Sequence, residues 1–379
     1  NRYVIFNLKV RKIIRFFIHV LFLFFAIIFF DLTLNLVLPE KFKKSIGISK
    51  NYSLKSEKFH HEISSNINVY EFWGNRKYKV ITNNHGMRVE NNNPLDKGKK
   101  NIGFIGDSFV YGSGISFKNH FINYIEKHNA KHNYLNLGYV SYSPSIYYKK
   151  LDYYINEKNI DFKKIIVFVD TSDIQDEGIF YREDKKGNIV RKWNSDREIQ
   201  KRNFKYIFKN YLKQNSFIFK FYEIFYVRNN HEGPTECLVN KNIIKNFKKY
   251  LDYERFGYAF DNTINSKDWV KLGQNKTLNY LSKIKSLLDE NETEMVIVYY
   301  PSAIDILENN KIKENSKHYN LLYTWSKNNN VNLIDTHEDF FKQNDPIKNY
   351  KTNHIICDAH WNENGHKIIG KNILNYIKN

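Results

Sequence analysis

Five short apolar runs, alternating with helical stretches, constrain this chain more than any other feature. From Asn101 onward, "NIGFI" (101–105), "YLNL" (134–137), "KIIVFV" (164–169), "EMVIVYY" (294–300) and "VNLID" (331–335) read as strands. Helical stretches near 117–128, 145–158, 276–289, 316–328 and 363–377 lie between and after them. β-branched strands in alternation with helices build a parallel sheet covered on both faces. The pattern predicts an α/β fold, a flavodoxin-like doubly wound parallel five-stranded sheet.

Residues 174–275 separate the third strand from the helix before the fourth by far more than a crossover needs. They contain a hairpin pattern, "GIFYREDKKGNIVRKW", and an aromatic stretch of helical character, "YLKQNSFIFKFYEIFY". This segment reads as an inserted α-rich lid over the mouth of the sheet. Ahead of the sheet, "NINVYEFWGNRKYKVITNNHGMRVE" (66–90) carries short β-like runs around Gly74-Asn75 and Asn83-Asn84, a hairpin-like lead-in. Residues 39–65 are polar and lysine-rich and read as a linker, and no internal repeat is present.

Near the N-terminus, Phe16–Phe30 is almost unbroken apolar sequence, and Leu32–Leu38 extends it to the ~20 residues that a spanning helix needs. No small-residue cleavage site follows, as a secretory signal would require. The expected order is a cytoplasmic N-terminus (1–12), a transmembrane anchor (13–38), linker and lead-in (39–100), and the main domain (101–379) with its insertion. His19, Asp31 and Asn35 interrupt the apolar surface, so a helix lying in the interface is the alternative. Arg2, Lys9, Arg11, Lys12 and Arg15 precede the run, which points to a single pass through the inner membrane with the main domain facing periplasm or cell exterior. Lys41, Lys43 and Lys44 follow it and reduce that bias.

The formal charge of +19 raises nucleic acid as a partner, but the lysines are spread among Asn, Ile, Tyr and Phe rather than gathered in a stripe. No nucleic-acid-binding signature and no zinc-ligand spacing is present, so no nucleic acid, metal or cofactor is expected. The two cysteines, Cys237 and Cys357, either pair in an oxidising compartment or stay as two thiols.

The chemistry concentrates at "NIGFIGDSFVYGSG" (101–114), where a strand stops at Gly-Asp-Ser. A phosphate loop needs Gly-x-x-x-x-Gly-Lys-Ser/Thr, and no lysine follows these glycines at that spacing. A dinucleotide fingerprint needs a third glycine where Phe117 stands. No Gly-x-Ser-x-Gly elbow surrounds any serine. Ser108 is instead a serine presented by a tight turn at the carboxyl edge of the first strand, where reacting groups of open parallel sheets gather. A serine needs a base, and the base an orienting carboxylate. "CDAHWNENG" (357–365), after the fifth strand, supplies both in Asp358 and His360.

These residues resemble the SGNH, or GDSL, hydrolases. Their first block, Gly-Asp-Ser, is similar to Gly106-Asp107-Ser108; their last, Asp-x-x-His followed by x-Asn-x-x-Gly, resembles Asp358-Ala359-His360-Trp361-Asn362-Glu363-Asn364-Gly365. Their second block, Asn-x-Gly-x-x-Gly, resembles Asn136 to Ser141, with Gly138 kept and Ser141 in the second glycine's place. Their third, Gly-x-Asn-Asp, resembles Asp170-Thr171-Ser172-Asp173. The likeness covers about residues 80–379. The Asp-to-His spacing is one shorter than the common pattern, Cys357 stands at the usual Asp position, and Asp-x-His-Trp resembles polysaccharide O-acetyltransferases such as those acting on alginate.

The resemblance implies Ser108 as nucleophile, His360 as base and Asp358 as its orienter. It implies an oxyanion hole from the N–H groups of Ser108 and of the second block (Gly138, Ser141), with Ser172 in the place of the usual asparagine. It further implies an esterase or O-acyltransferase working through an acyl-serine on an acylated carbohydrate or lipid of the cell envelope. For transfer, the partner is a membrane acyl-donor protein. The competing class is an inactive protein on the same fold that binds glycan or serves an assembly complex, because fold alone does not fix function.

Overall fold

The computed structural model describes residues 2–39, 53–73, 76–91, 95–191, 212, 216–222 and 253–378. The chain divides into two compact units, residues 1–51 with 195–231, and residues 52–194 with 232–379.

In the first unit, α1 (Arg2–Val37) contains Val10–Leu34, a helix long and apolar enough to cross a membrane. Phe22, Phe29 and Phe30 are exposed along it. Its polar residues find partners: His19 Nδ1 bonds the Arg15 carbonyl at 2.6 Å, and the Thr33 hydroxyl donates to the Phe29 carbonyl at 2.6 Å. Asp31 is buried, and one of its carboxylate oxygens accepts the backbone N–H groups of Phe217 and Ile218 at 2.8 and 3.1 Å. It thereby accepts two first-turn N–H groups of the short helix Phe217–Phe221, whose own N-cap is Ser216.

The second unit is built on five parallel strands: β5 (Asn101–Ile105), β6 (Asn133–Asn136), β7 (Phe162–Phe168), β10 (Glu294–Tyr299) and β11 (Asn332–Asp335). Their order across the sheet is β11-β10-β7-β5-β6, the flavodoxin-like doubly wound order expected from the sequence. Period-two alternation drives the double winding. On β7, Ile165 and Val167 enter one core with Leu151 of α4 (Pro144–Asp152) and Leu281, Ile284 and Leu288 of α6 (Asp268–Glu290). Ile166 and Phe168 enter the opposite core with Ile122 and Ile125 of α3 (Phe121–His128) and Ile369 and Ile373 of α10 (Glu363–Lys378).

The lead-in consists of two antiparallel hairpins, β1 (Ser53–Ser56) with β2 (His60–Ile63) and β3 (Asn68–Trp73) with β4 (Arg76–Ile81). The first pair lies within 53–63, part of the stretch that the sequence reads as linker. Beyond β4, Arg88 bridges Asn136 of β6, so the lead-in is joined to the sheet edge. After β11 the chain forms two short helices, His337–Phe340 and α9 (Pro346–Asn353), in a stretch to which the sequence assigns no element. α5 (Thr171–Gln175) runs into the start of the expected insertion, and within it the hairpin β8 (Tyr181–Glu183) with β9 (Ile189–Arg191) forms, but 192–211, 213–215 and 223–252 lie outside the described residues. The expectation of a lid falls mainly on those, as does the pairing of Cys237 with Cys357, because Cys237 lies outside the described residues.

Candidate active site

The strand order reverses between β5 and β7, and ligands of open α/β sheets bind at such a switch point. Gly106-Asp107 turn the chain out of β5 into the single turn of α2 (Ser108–Tyr111), of which Ser108 is the first residue. Asp107 caps it by accepting the Phe109 N–H at 2.9 Å. Gly112 ends it with φ +80°, the left-handed conformation in which a side chain is strained. Arg88, fully buried, holds the turn from behind. Its Nη1 donates to the carbonyls of Tyr111 and Gly112, both at 2.6 Å, and its Nη2 to that of Ile115. The guanidinium lies against the rings of Tyr78 and Tyr111. Asn136 adds a further tie, donating from Nδ2 to the Val110 carbonyl at 2.8 Å.

Asp358 and His360 arrive from the segment between α9 and α10. A bridge between His354 and Trp361 closes this loop, and the Ile355 N–H donates to the His360 carbonyl at 2.9 Å. Cys357 takes φ +61°, which turns the chain into Asp358. The Tyr350 hydroxyl accepts the Asp358 N–H at 3.0 Å and lies 2.6 Å from the Ile355 carbonyl. Trp361, fully buried, packs against Phe109 and Tyr300. The loop so held brings His360 Nε2 to 2.7 Å from Ser108 Oγ, across 252 positions of sequence. On its other side, His360 Nδ1 lies 2.5 Å from Asp358 Oδ1, which also accepts the His360 backbone N–H at 2.8 Å. Ser108 Oγ stands 3.2 Å from Asp107 Oδ2 as well, but the hydroxyl has one proton and His360 is the nearer acceptor.

The electrostatics poise this arrangement for proton transfer. Burial works to lower the His360 pKa, yet the Asp358 carboxylate, by charge and hydrogen bond, and the charges of Asp107 and Asp170 outweigh it, and the net shift is upward. Burial likewise works to raise the Asp358 pKa, but His360 and the surrounding donors prevail and hold it at about 2. Asp107 is pushed up to about 7, first by burial and then by Asp170. Asp173 and Asp176 are also raised, chiefly by burial, and Arg255 Nη2 donates to Asp176 at 2.8 Å.

The residues expected to bind an oxyanion are less uniform. Among the described residues, the backbone N–H groups of Ser108 and Ser141 make no hydrogen bond. Ser141 sits at φ +59°, the conformation a glycine would take there without strain. The Gly138 N–H, by contrast, is committed to Asn136 Oδ1 at 3.0 Å. A Cβ at Gly138 would come within 2.7 Å of Val110, so this glycine lets β6 and the Ser108 turn approach closely. Ser172 is buried and gives its backbone N–H to Asp170 Oδ1 at 2.7 Å, while Asp173 Oδ2 accepts the Asp170 N–H at 3.0 Å. Asp170-Thr171-Ser172-Asp173 thus forms a capping box that starts α5.

Two site residues escape sequence reasoning. Trp73, at the end of β3, donates its indole N–H to Asp358 Oδ2 at 2.8 Å and meets the His360 ring edge-on, and Arg88 clamps the Ser108 turn. Arg88 stands in "HGMRVE", a segment noted in the sequence only as a lead-in.

No family model and no curated protein matches the chain. Among solved structures it is similar to a GDSL-like lipase from Bacteroides thetaiotaomicron, at 10% identity and a TM-score of 0.38 over 75% of this chain and 90% of that one. It is similar also to a member of the lipolytic G-D-S-L family from Veillonella parvula, at 11% identity and a TM-score of 0.39 over 74% of this chain and 99% of that one. A third is an acetyl xylan esterase, at 11% identity and a TM-score of 0.38 over 73% of this chain and 99% of that one. Likenesses this distant leave the chemistry to be argued from the chain's own residues. Its sheet order, and the meeting of Gly106-Asp107-Ser108 with Asp358-Ala359-His360 beside the switch point, make it similar to the SGNH/GDSL hydrolases.

Proposed function

We propose that the chain is a serine esterase or O-acyltransferase of the SGNH type, held to a membrane by α1, that acts on acyl esters of an envelope glycan or lipid. The observation that carries the reading is the continuous line from Asp358 Oδ1 through His360 to Ser108 Oγ, with links of 2.5 and 2.7 Å. Ser108 Oγ attacks the ester carbonyl while His360 Nε2 takes its proton, and Asp358 stabilises the imidazolium. The tetrahedral intermediate carries its negative charge on the former carbonyl oxygen, stabilised by the N–H groups of Ser108 and Ser141. Its collapse breaks the ester C–O bond, His360 returns the proton to the departing alkoxide, and the acyl group stays on Ser108. Water or a sugar hydroxyl then attacks in the same way, His360 taking and returning one proton. These residues serve hydrolysis and transfer alike.

One observation favours the second reading, a glycan-binding or assembly protein without activity. With Gly138 committed to Asn136 and Ser172 in place of asparagine, the oxyanion has fewer donors, and one lost donor costs ~10²–10³ in rate. Intact-mass analysis of the full chain in detergent, after exposure to a fluorophosphonate, separates the two. A single adduct that Ser108→Ala abolishes is expected. No adduct on the folded protein supports the inactive reading.

A further inference from the structure

We infer that Trp73 is a positioning residue for this reaction, its indole N–H fixing the second oxygen of Asp358 so that the first stays aligned with His360. The inference rests on the proposed serine chemistry. A carboxylate hydrogen-bonded through one oxygen can rotate about its Cβ–Cγ bond and offer His360 a poorer geometry. Here Oδ1 is held by the backbone N–H and Nδ1 of His360, and Oδ2 by Trp73 Nε1 at 2.8 Å, so rotation breaks a bond at either end. The same indole meets the His360 ring edge-on, with centroids 4.9 Å apart at 80°. Phe109 covers His360 as well, with centroids 4.9 Å apart at 30°.

Trp73 is well placed to act so because its hairpin is fastened to both halves of the site. Glu71 on β3 accepts the Tyr111 hydroxyl of the nucleophile turn at 2.8 Å, and Ser116 Oγ accepts the Lys79 N–H of β4 at 3.2 Å. Arg76 pairs with Glu363 at the start of α10, just past the His360 loop. The ring also lies beside Gly114, where a Cβ would come within 3.4 Å of Trp73 Cδ1. The lead-in hairpin is thereby a third wall of the site, supplying the partner of the carboxylate across 285 positions of sequence.

Two substitutions separate the N–H from the bulk of the ring. Trp73→Phe keeps an aromatic side chain and removes the donor, and Trp73→Leu removes both. Hydrolysis of p-nitrophenyl acetate and the rate of fluorophosphonate labelling at Ser108 are followed against pH, beside the full-length wild type. If the N–H positions Asp358, both variants lose about 10- to 100-fold in kcat with KM little changed. Both also show the acid limb of kcat/KM displaced to higher pH, because the carboxylate no longer shares its charge with the indole. A packing role alone leaves Trp73→Phe at the wild-type rate with an unmoved limb, and that result overturns the inference while Ser108 labelling keeps the parent reading intact. A wild type that takes no label overturns the parent reading and the inference with it. Trp73→Met, likewise without a donor for Oδ2, gives the same answer through its pH limb if Trp73→Phe does not fold.

Discussion

In the proposed reaction His360 serves as a base only when neutral, and the charges around it favour its protonated form. The upward shift from 6.5 therefore sets the acid limb of activity: kcat/KM for p-nitrophenyl acetate rises with pH through an apparent pKa above 6.5. Asp358→Asn removes the largest raising influence, so the limb moves down while the rate falls roughly 10³–10⁴-fold. A wild-type limb at or below 6.5, measured by pH-rate profile, contradicts this account. The meeting of Ser108, Asp358 and His360 was legible in the sequence because a serine at a strand end calls for a histidine and a carboxylate, and few loops offer both together. Trp73 was not, since nothing in a hairpin pattern reveals which tryptophan will reach a carboxylate 285 positions away. The block resemblance makes Gly138 an oxyanion donor, whereas in the structure its N–H is turned to Asn136.

The four-residue α2 is too short to be stable alone, and its form depends on Asp107 at one end and on Gly112 and Arg88 at the other. Arg88→Met leaves the carbonyls of Tyr111 and Ile115 without this donor and that of Gly112 with only the Ile115 N–H at 3.2 Å. The expected loss is about 3 kcal/mol, from ~1–3 kcal/mol for each unsatisfied buried group after partial relaxation. Thermal melting then falls by roughly 5–10 °C and Ser108 labelling slows; an unchanged melt overturns the clamp. The sheet strands and the helices that cover them were legible at this scale, because covered parallel strands are apolar on both faces and amphipathic helices repeat every three to four residues. The third block carries a second pattern. "DTSD" resembles an altered oxyanion block in sequence, yet acidic residues three apart before a helix also write a capping box, and that is how Asp170 and Asp173 are used.

For the whole molecule, the charge of +19 and the apolar run of α1 offer two ways of holding a membrane. At 1 M salt the Debye length is ~3 Å, so surface attraction is screened while a buried helix is not. The protein is expected to stay with the membrane pellet through such a wash and to leave it in detergent; release by salt alone refutes the anchor. Asp31 looked like a flaw in that helix when only the sequence was in view. Its partners, the N–H groups of Phe217 and Ile218, lie 186 and 187 positions later in the chain. At ~5–20 residues per second that gap is about 10–40 s of synthesis. The helix is therefore made with one carboxylate still unanswered, and its apolar surface becomes complete only after most of the sheet has left the ribosome.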